Sequence, residues 1–313
     1  MSGNRASKQE YMMTLPDISY NFGPAATAEE IAPRMEKLAA AGAKRIMLDA
    51  PQLLLTAQDK TYAAALEKAL KENALQLFDV HAPHGAQDSF GFPAPEAWPC
   101  FYEKAFGALE AAAALGAKTV TFHCARTRRV GQMVDEYGVF EKAETAKALE
   151  NVCRQLEIVL PRVEKLGLVI ALENLFLPTS TASFLVSVLQ KFSHPALGLN
   201  YDAGHALLLE KQPGKTSGDI AGWIRCGWDD DTVVFQEDAL DLMLENVVTA
   251  HLHDNHGCED EHRLPGQGIA DWTKIIARFR QAPRLLSLQS EVSQKFYGST
   301  PEIQPAFFHA CGF

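Results

Sequence analysis

Residues 247–254 read Val-Val-Thr-Ala-His-Leu-His-Asp, an apolar strand-like run that ends in two histidines and a carboxylate. Because successive side chains of a strand point to opposite faces, His251 and His253 share one face. Five further strand-like segments also end in a histidine or a carboxylate, namely Asp79-Val80-His81, Thr121-Phe122-His123, Ala171-Leu172-Glu173, Asn200-Tyr201-Asp202 and Gln289-Ser290-Glu291. In a parallel barrel such strand ends converge on one mouth, where enzymes of that architecture place their chemistry. Histidines and carboxylates that converge there indicate metal ligands.

Strand-like and helix-like segments alternate along the whole chain. Eight strands are predicted, at residues 18–20, 45–49, 75–81, 119–123, 169–173, 197–202, 247–253 and 285–291. Eight is the number that a closed (β/α)8 barrel needs. Low-complexity tracts and Pro/Ser-rich linkers do not interrupt the 313 residues. We therefore expect an α/β protein with a single TIM-barrel domain over residues 1–313.

Six helices are predicted between the strands, at residues 27–41, 60–73, 98–115, 142–165, 181–191 and 273–280. Thr27 is a suitable N-cap for the first helix, and Glu30 would complete a capping box. Pro33 lies beyond the first turn of a helix that starts there, so the regular helix is expected nearer Ala32, with Pro33 at its first position. Pro161 is expected to kink the fourth helix or to end it early.

The net charge of −10 argues against an extended nucleic-acid surface, because phosphate binding needs a Lys/Arg face. Arg126, Arg128 and Arg129 form a small basic cluster, which is more typical of a solvated loop. Nucleic acid is therefore not an expected partner.

The six cysteines contain no C-x-x-C pair. This pattern is typical of a reduced cytoplasmic protein rather than a disulfide framework or a thiolate zinc site. No run of eighteen apolar residues occurs, and residues 1–14 lack an apolar signal region. We therefore expect a cytoplasmic location, with neither a membrane span nor a secretory signal.

The segment at residues 211–236, after the sixth strand, is long for a strand-to-helix connection. It contains Trp223 and Trp228, which could cover the barrel mouth as part of a substrate loop. An oligomer contact or a plain surface insertion explains the same segment equally well. Homo-oligomer formation therefore stays open.

Two motifs lie beyond the strand ends. Asp202-Ala203-Gly204-His205 places a carboxylate and an imidazole where both can face one cavity, although Asp202 is equally suited to cap the following helix. Asp260-Glu261-His262 precedes the glycine-containing turn Pro265-Gly266-Gln267-Gly268, and on its own it is typical of a charged surface loop.

Taken together, these residues resemble the xylose-isomerase-like TIM-barrel superfamily, which includes sugar isomerases, sugar epimerases and the endonuclease IV type of family 2 AP endonucleases. The resemblance covers residues 81–291. It is carried by His81-Ala82-Pro83, Phe122-His123, Leu172-Glu173-Asn174, Asp202-Ala203-Gly204-His205, His251-Leu252-His253-Asp254, Asp260-Glu261-His262 and Ser290-Glu291.

The resemblance implies two alternative metal sites. In the epimerase branch a single divalent ion is held by four side chains, which here are Glu173, Asp202, His251 and Glu291. In the endonuclease IV branch three zinc ions share nine ligands, which here are His81, His123, Glu173, Asp202, His205, His251, Asp260, His262 and Glu291. His84 is an alternative to His81.

The leading interpretation is a sugar or sugar-phosphate isomerase or epimerase that depends on a divalent metal such as Mn, Zn, Co or Mg. Glu173 and Glu291 would be its catalytic acid and base, acting through an enediolate. The residues expected to contact the sugar are His205, His253, His262, Arg263, Trp223 and Trp228.

Two other interpretations remain. One is a multinuclear zinc phosphoesterase that resembles endonuclease IV, against which the net charge of −10 stands. The other is a barrel that binds metal without catalysis.

Overall fold

The computed structural model describes residues 13–24, 27–85, 87–125 and 145–313. The predicted basic cluster at Arg126, Arg128 and Arg129 and the start of the predicted helix at residue 142 lie outside the described residues.

Eight parallel strands close into a barrel in chain order, which confirms the predicted TIM barrel. They are β1 (Ile18–Asn21), β2 (Arg45–Leu48), β3 (Gln76–His81), β4 (Thr119–Phe122), β5 (Val169–Glu173), β6 (Leu197–Asp202), β7 (Val247–Leu252) and β8 (Leu288–Ser290). The barrel is closed by pairing of Ile18 in β1 with Leu288 in β8. Most strand residues are buried, as expected of parallel strands that helices cover.

The helices of the described residues surround the barrel and close its ends. They are α1 (Ile31–Ala40), α2 (Ala50–Gln58), α3 (Lys60–Glu72), α4 (Trp98–Ala114), α5 (Thr145–Leu166), α6 (Ala182–Lys191), α7 (Ala203–Leu209), α8 (Gly222–Arg225), α9 (Ala239–Met243), α10 (Trp272–Phe279), α11 (Gln294–Tyr297) and α12 (Gln304–Ala310). No helix among these residues is long and apolar enough to cross a membrane.

Three helix predictions need correction. A 3-10 turn with the predicted Thr27 capping box precedes α1, which then starts at Ile31 with Pro33 as its third residue. Pro33 is tolerated there because the first N–H groups of a helix have no intrahelical acceptor. Pro161 does not end α5, which continues to Leu166. Pro161 is exposed, so water can bond the carbonyl that its ring leaves unpaired.

The third correction is α2, which was missed because Pro51 lies near its start. Asp49 precedes the helix and forms a capping box with Gln52, and Pro51 occupies an early position where proline is favoured. Proline in a sequence often indicates a turn, but Pro51 lies at the start of a helix.

The lower half of the barrel interior is polar. The buried carboxylate of Asp79 accepts hydrogen bonds from the hydroxyls of Ser19, Thr119 and Ser287, and Ser287 lies 2.8 Å from the Thr249 hydroxyl. Burial raises the pKa of Asp79 in spite of these donors. The apolar core lies instead between the strands and the outer helices.

Asp254, directly after β7, anchors the loop that carries Asp260 and His262. Its carboxylate accepts hydrogen bonds from the backbone of Gly266 at 3.0 Å, from the backbone of Ala270 at 3.1 Å and from the Trp272 indole at 3.0 Å. A Cβ on Gly268 would lie 2.2 Å from the same carboxylate, so the turn needs glycine there. One buried side chain thus sets the path of residues 255–272.

Asp254→Ala is expected to destabilise the protein by about 3 kcal/mol or more, because it leaves several buried donors without an acceptor. Urea unfolding monitored by circular dichroism measures this change. The matched control is Asp271→Ala, which removes the exposed N-cap that Lys274 N bonds in α10 and should cost about 1 kcal/mol. Equal effects of the two substitutions would show that Asp254 has no special role in the loop.

Candidate metal centre

Ten histidine and carboxylate side chains meet at the mouth of the barrel, on the strand ends and in the segments that follow them. They form three groups, and within each group the ligand atoms lie within 4.8 Å of one another. The first donor group is His81, His123 and Glu173, the second is Glu173, Asp202, His251 and Glu291, and the third is His205, His253, Asp260 and His262. The structure thus brings together all nine predicted ligands, with His253 as an addition.

His251 lies at the centre of the second donor group. Its Nδ1 atom is 3.0 Å from Glu291 Oε2, 3.3 Å from Glu173 Oε1 and 3.6 Å from Asp202 Oδ2. Ligand atoms that each lie about 2.1 Å from one ion are separated by roughly 3 to 3.5 Å. The spacing of this group therefore fits a single divalent ion.

The first donor group is a nearly equilateral triangle. His81 Nε2 and His123 Nε2 are 3.1 Å apart, and Glu173 Oε2 lies 3.2 Å from the former and 3.1 Å from the latter. His81 Nδ1 donates to the Ala82 carbonyl at 2.8 Å, which leaves the Nε2 lone pair directed at the group. His84, the alternative ligand, lies on the exposed side and outside the group.

The third donor group has the same organisation. Asp260 lies 3.2 Å from His205 Nε2 and 3.2 Å from His262 Nε2. Two of the group's three imidazoles have their other nitrogen on a backbone carbonyl, since His205 Nδ1 is 3.1 Å from Asn174 O and His262 Nδ1 is 2.7 Å from Glu291 O. Such carbonyl contacts are the usual means of orienting metal-binding histidines.

Asp202 has two roles, so both interpretations of the Asp202-Ala203-Gly204-His205 motif apply. Its Oδ1 accepts the backbone N–H of His205 at 2.6 Å and caps α7, while Oδ2 lies in the second donor group. His253 Nε2 also lies 3.0 Å from this carboxylate. A Cβ on Gly204 would lie 2.0 Å from the His253 ring, so only glycine lets the helix approach His253 this closely.

Several buried polar atoms of these groups lack hydrogen-bond partners in the described part of the chain. They are Glu173 Oε1, both ring nitrogens of His251, His253 Nδ1, Asp260 Oδ1 and Glu291 Oε2. Buried polar atoms are rarely left unpaired, because each costs free energy. Donor atoms that face one another without hydrogen-bond geometry are what a metal ion would satisfy.

The carboxylates and histidines of the donor groups strongly shift one another's pKa values. Burial acts to raise the pKa of Glu173, but His251 and His123 outweigh burial and hold the pKa well below its usual value. Neighbouring histidines likewise outweigh burial at Asp202, Asp260 and Glu291 and lower the pKa of each carboxyl group.

The pKa values of His81, His205, His251 and His262 change in the opposite direction. Burial acts to lower the pKa of His251, but Glu291 and Glu173 raise it well above the ordinary value. The pKa of His262 is raised to about 9, because Asp260 outweighs burial. Burial wins at His123, whose pKa is lowered. Without a metal, protons on several imidazoles therefore balance the carboxylate charge.

Two cavities adjoin the donor groups. The first, about 300 Å³, is lined by donor residues and by Leu175, Phe176, Leu177 and Trp223. The second, about 390 Å³, is lined on its far side by Asn21, Asp49, Ser293 and Tyr297.

Three of the predicted sugar contacts, Trp228, Arg263 and the fully buried His253, lie outside both cavity linings. Trp228 is buried against Leu209 and Val233, and its indole donates to the Phe176 carbonyl at 2.9 Å. Arg263 pairs with Glu261 at 2.7 Å and lies over the Phe296 ring. Trp223, His205 and His262 do line the first cavity.

Asp49 and Asn21 were not predicted as site residues. Asn21 ends β1, Asp49 directly follows β2, and the Asn21 amide donates to Asp49 at 2.6 Å. Burial raises the pKa of Asp49. Both residues lie at the carboxyl ends of strands, so the rule that polar strand ends converge on the mouth applies to them. No sequence pattern predicts that Leu175 to Leu177 line the cavity as an apolar wall.

The sequence pattern of the xylose isomerase-like TIM barrel family matches residues 35–291. The chain belongs to this family. A curated relative, the uncharacterized protein y4fM of Sinorhizobium fredii, is 28% identical over 176 residues, which cover 54% of this chain and 46% of that protein. The match thus spans about half the length of that relative.

Solved structures share the fold at low identity. The apo form of the 3-keto-D-glucoside 4-epimerase YcjR from E. coli is similar with a TM-score of 0.65 and 13% identity, over 95% of this chain and all of that one. The IolI protein with a bound zinc atom has a TM-score of 0.67 and 14% identity, over 95% of this chain and 96% of that one. At this identity the likeness establishes the fold of the family.

Addition of Mn²⁺, Co²⁺ or Zn²⁺ to the metal-free protein is expected to raise its melting temperature, and the rise should grow as the pH increases from about 6 to about 9. Metal must displace the proton of His251, whose pKa Glu291 and Glu173 raise well above its ordinary value, so higher pH favours the metal. At a metal concentration about 100 times Kd the stabilisation is about 2.7 kcal/mol. Differential scanning calorimetry measures it.

In the metal-free protein, the contribution of His262 to stability should instead decrease as the pH rises. The stability that pairing with Asp260 gives through His262 is fully present below about pH 6.5 and is lost as pH rises through about 9. His251→Ala should reduce the response to metal, whereas the exposed Leu242→Ala on α9 should leave it unchanged. An unaltered melting temperature with all three ions would refute the metal site.

Proposed function

We propose that the protein is a divalent-metal-dependent isomerase or epimerase that acts on a sugar or sugar derivative. The observation that carries the proposal is the second donor group, in which two glutamates and an aspartate surround His251 Nδ1 within 3.6 Å beside two open cavities. Family membership and the epimerase activity of the similar YcjR structure support it.

The donor set suits a hard or borderline cation. It consists of carboxylate oxygens and imidazole nitrogens without thiolate, which fits Mn, Co, Zn or Mg. Held by Glu173, Asp202, His251 and Glu291, such an ion would supply Lewis-acid polarisation of a substrate carbonyl, which acidifies the neighbouring C–H bond.

Glu173 and Glu291 are the proposed proton carriers. Neighbouring histidines hold the pKa of each below its usual value against the effect of burial, so both are ionised at neutral pH and can accept a proton. Glu291 lines both cavities, whereas Glu173 lines the first. One carboxylate removes the proton next to the carbonyl, and the other, after it has taken a proton from solvent, returns that proton to the enediolate.

The remaining residues at the mouth of the barrel bind and orient the substrate. His205 and His262 line the first cavity and present imidazoles to hydroxyl oxygens. His253 is fully buried behind them and stacks on His262 with a centroid distance of 3.9 Å, so it positions that ring rather than reaching the cavity. Trp223 forms part of the apolar wall, which excludes water from the reacting carbon.

Glu173→Gln and Glu291→Gln should each lower proton transfer by a factor of about 100 or more, because glutamine keeps an oxygen for the metal but cannot accept the proton. The measurement is deuterium incorporation from solvent into a panel of ketoses and aldoses with Mn²⁺ present. The control is Glu237→Gln, which removes an exposed carboxylate paired with Lys211 and should leave exchange unchanged.

Near-normal exchange in either glutamine variant would make that residue a ligand rather than a base. Absence of exchange in every sugar with the unaltered protein would overturn the proposal. Metal retention without exchange or hydrolysis would then favour a barrel that binds metal without catalysis.

A second candidate function is multinuclear phosphoester hydrolysis. The observation in its favour is that the first and third donor groups also have ligand spacing and carbonyl-oriented imidazoles. Three ions at these positions would fit the endonuclease IV type of site, whereas one ion would fit an epimerase. Metal content per chain after mild dialysis therefore separates the two.

Cleavage of duplex DNA that contains an abasic site is expected to be weak or absent, because a net charge of −10 opposes phosphate binding. Gel electrophoresis of a labelled duplex at moderate salt measures incision in the presence of Zn²⁺. Efficient incision that is lost in His123→Ala, a variant of the first donor group alone, would reverse the order of the two candidates.

A further inference from the structure

The two cavities lie on different sides of the donor groups. They share four lining residues, which are His81, His84, His262 and Glu291. Each volume is close to the lower end of the range of small-molecule sites, about 300 to 1,000 Å³. A ligand that spans both would place its middle over the donor groups.

The first cavity has an apolar and aromatic wall. Phe176 and Trp223 make an edge-to-face contact with ring centroids 5.1 Å apart. Trp223 remains 38% exposed, although the other tryptophans, at 98, 228 and 272, are buried. A large aromatic ring exposed at a cavity beside a polar centre is suited to an apolar partner.

Trp223 is held in place before any ligand arrives. The backbone N–H of Ala221 bonds Cys258 O at 2.9 Å, and Arg225 donates to Ile220 O at 2.9 Å and to Gly218 O at 3.2 Å. The first bond ties the start of the short helix α8 to the loop after β7, and the two Arg225 bonds hold α8 to the segment that precedes it. The aromatic wall is therefore pre-organised, which lowers the entropic cost of binding.

The second cavity has a polar far side. Asp49, with its carboxylate bonded to the Asn21 amide, faces this cavity together with Ser293 and Tyr297. Carboxylate, amide and hydroxyl groups that converge on a cavity suit the hydroxyls of a sugar. The two cavities thus differ in the chemistry that they present.

We propose that the substrate is a two-part glycoside whose sugar ring carries a carbonyl, rather than a free monosaccharide. Its hydroxyl-rich sugar lies in the second cavity, and an aryl or glycosyl substituent packs its apolar face against Trp223 in the first. A free monosaccharide would occupy one cavity and leave the other filled with water. This inference rests on the proposed function, because it takes the donor groups as the reaction centre.

Isothermal titration calorimetry of the Mn²⁺-loaded protein tests the inference. The probes are glucose and galactose, their methyl and phenyl glycosides, and cellobiose. At least one phenyl glycoside or cellobiose should bind about tenfold or more tightly than the corresponding methyl glycoside or free sugar. A preference for phenyl identifies an aryl substituent, and a preference for cellobiose identifies a glycosyl one.

Trp223→Ala should remove this preference and leave methyl-glycoside affinity within about twofold, while Trp223→Phe should retain most of it. Asp49→Asn should weaken the binding of all of the glycosides. Because Asp49 also caps α2, the melting temperature of this variant is measured to check that the helix is retained. Leu242→Ala, an exposed apolar residue of α9, is the matched control and should change nothing.

Equal affinity for substituted and free sugars, a preference that survives Trp223→Ala, or absence of binding by every probe would each overturn the inference. Binding does not require turnover, so the two proposals fail separately. Substituent-dependent binding, with no proton exchange in any free sugar or carbonyl-bearing glycoside, would count against the proposed isomerase and leave the two-part substrate intact.

Discussion

The structure depends on the balance of charge around four carboxylates at one end of the barrel. Glu173 and Asp202 are fully buried, and Asp260 and Glu291 are partly buried. Each lies within 4 Å of an imidazole, in a place where unpaired charge is costly. Imidazoles interleave with them, and their raised pKa values show that they carry the compensating protons. Cations, whether protons or a divalent metal, are therefore part of what makes this mouth stable.

The fold meets this constraint through its backbone. Parallel pairing places His81, Glu173 and Asp202 at the last residues of their strands, so their side chains point to a common centre. Backbone carbonyl groups then fix the orientation of three imidazoles. The Ala82 carbonyl contacts His81, the Asn174 carbonyl contacts His205, and the Glu291 carbonyl contacts His262. Asp254 adds the loop on which the third group depends.

The strand order and the convergence of the strand-end donors could be predicted from the sequence because both follow from periodicity, whereas His205, Asp260 and His262 were identified as ligands only through the family resemblance. A strand has a side-chain period of two, and the mouth of a parallel barrel collects every strand end. Asp49 and Asn21 obey the same rule, but helix capping and turn formation are the commoner roles of these residue types.

Other features depend on tertiary contacts that have no local pattern. Trp228 packs under the loop while Trp223 faces the cavity, although both are tryptophans of one segment. Pro161 is tolerated because its position on α5 faces solvent, which the sequence alone does not define. The role of the residues at Leu175–Leu177 as an apolar wall likewise arises only when β5 meets α8.

The hydrogen-bonded floor around Asp79 determines how the centre can be reached. Ser19, Asp79, Thr119, Thr249 and Ser287 are fully buried and bonded to one another, so the lower half of the barrel offers no path for an ion. If the centre binds a metal and a substrate as proposed, both would reach it through the two cavities at the top of the barrel. A bound substrate would then cover the ion and slow the exchange of metal with the surroundings.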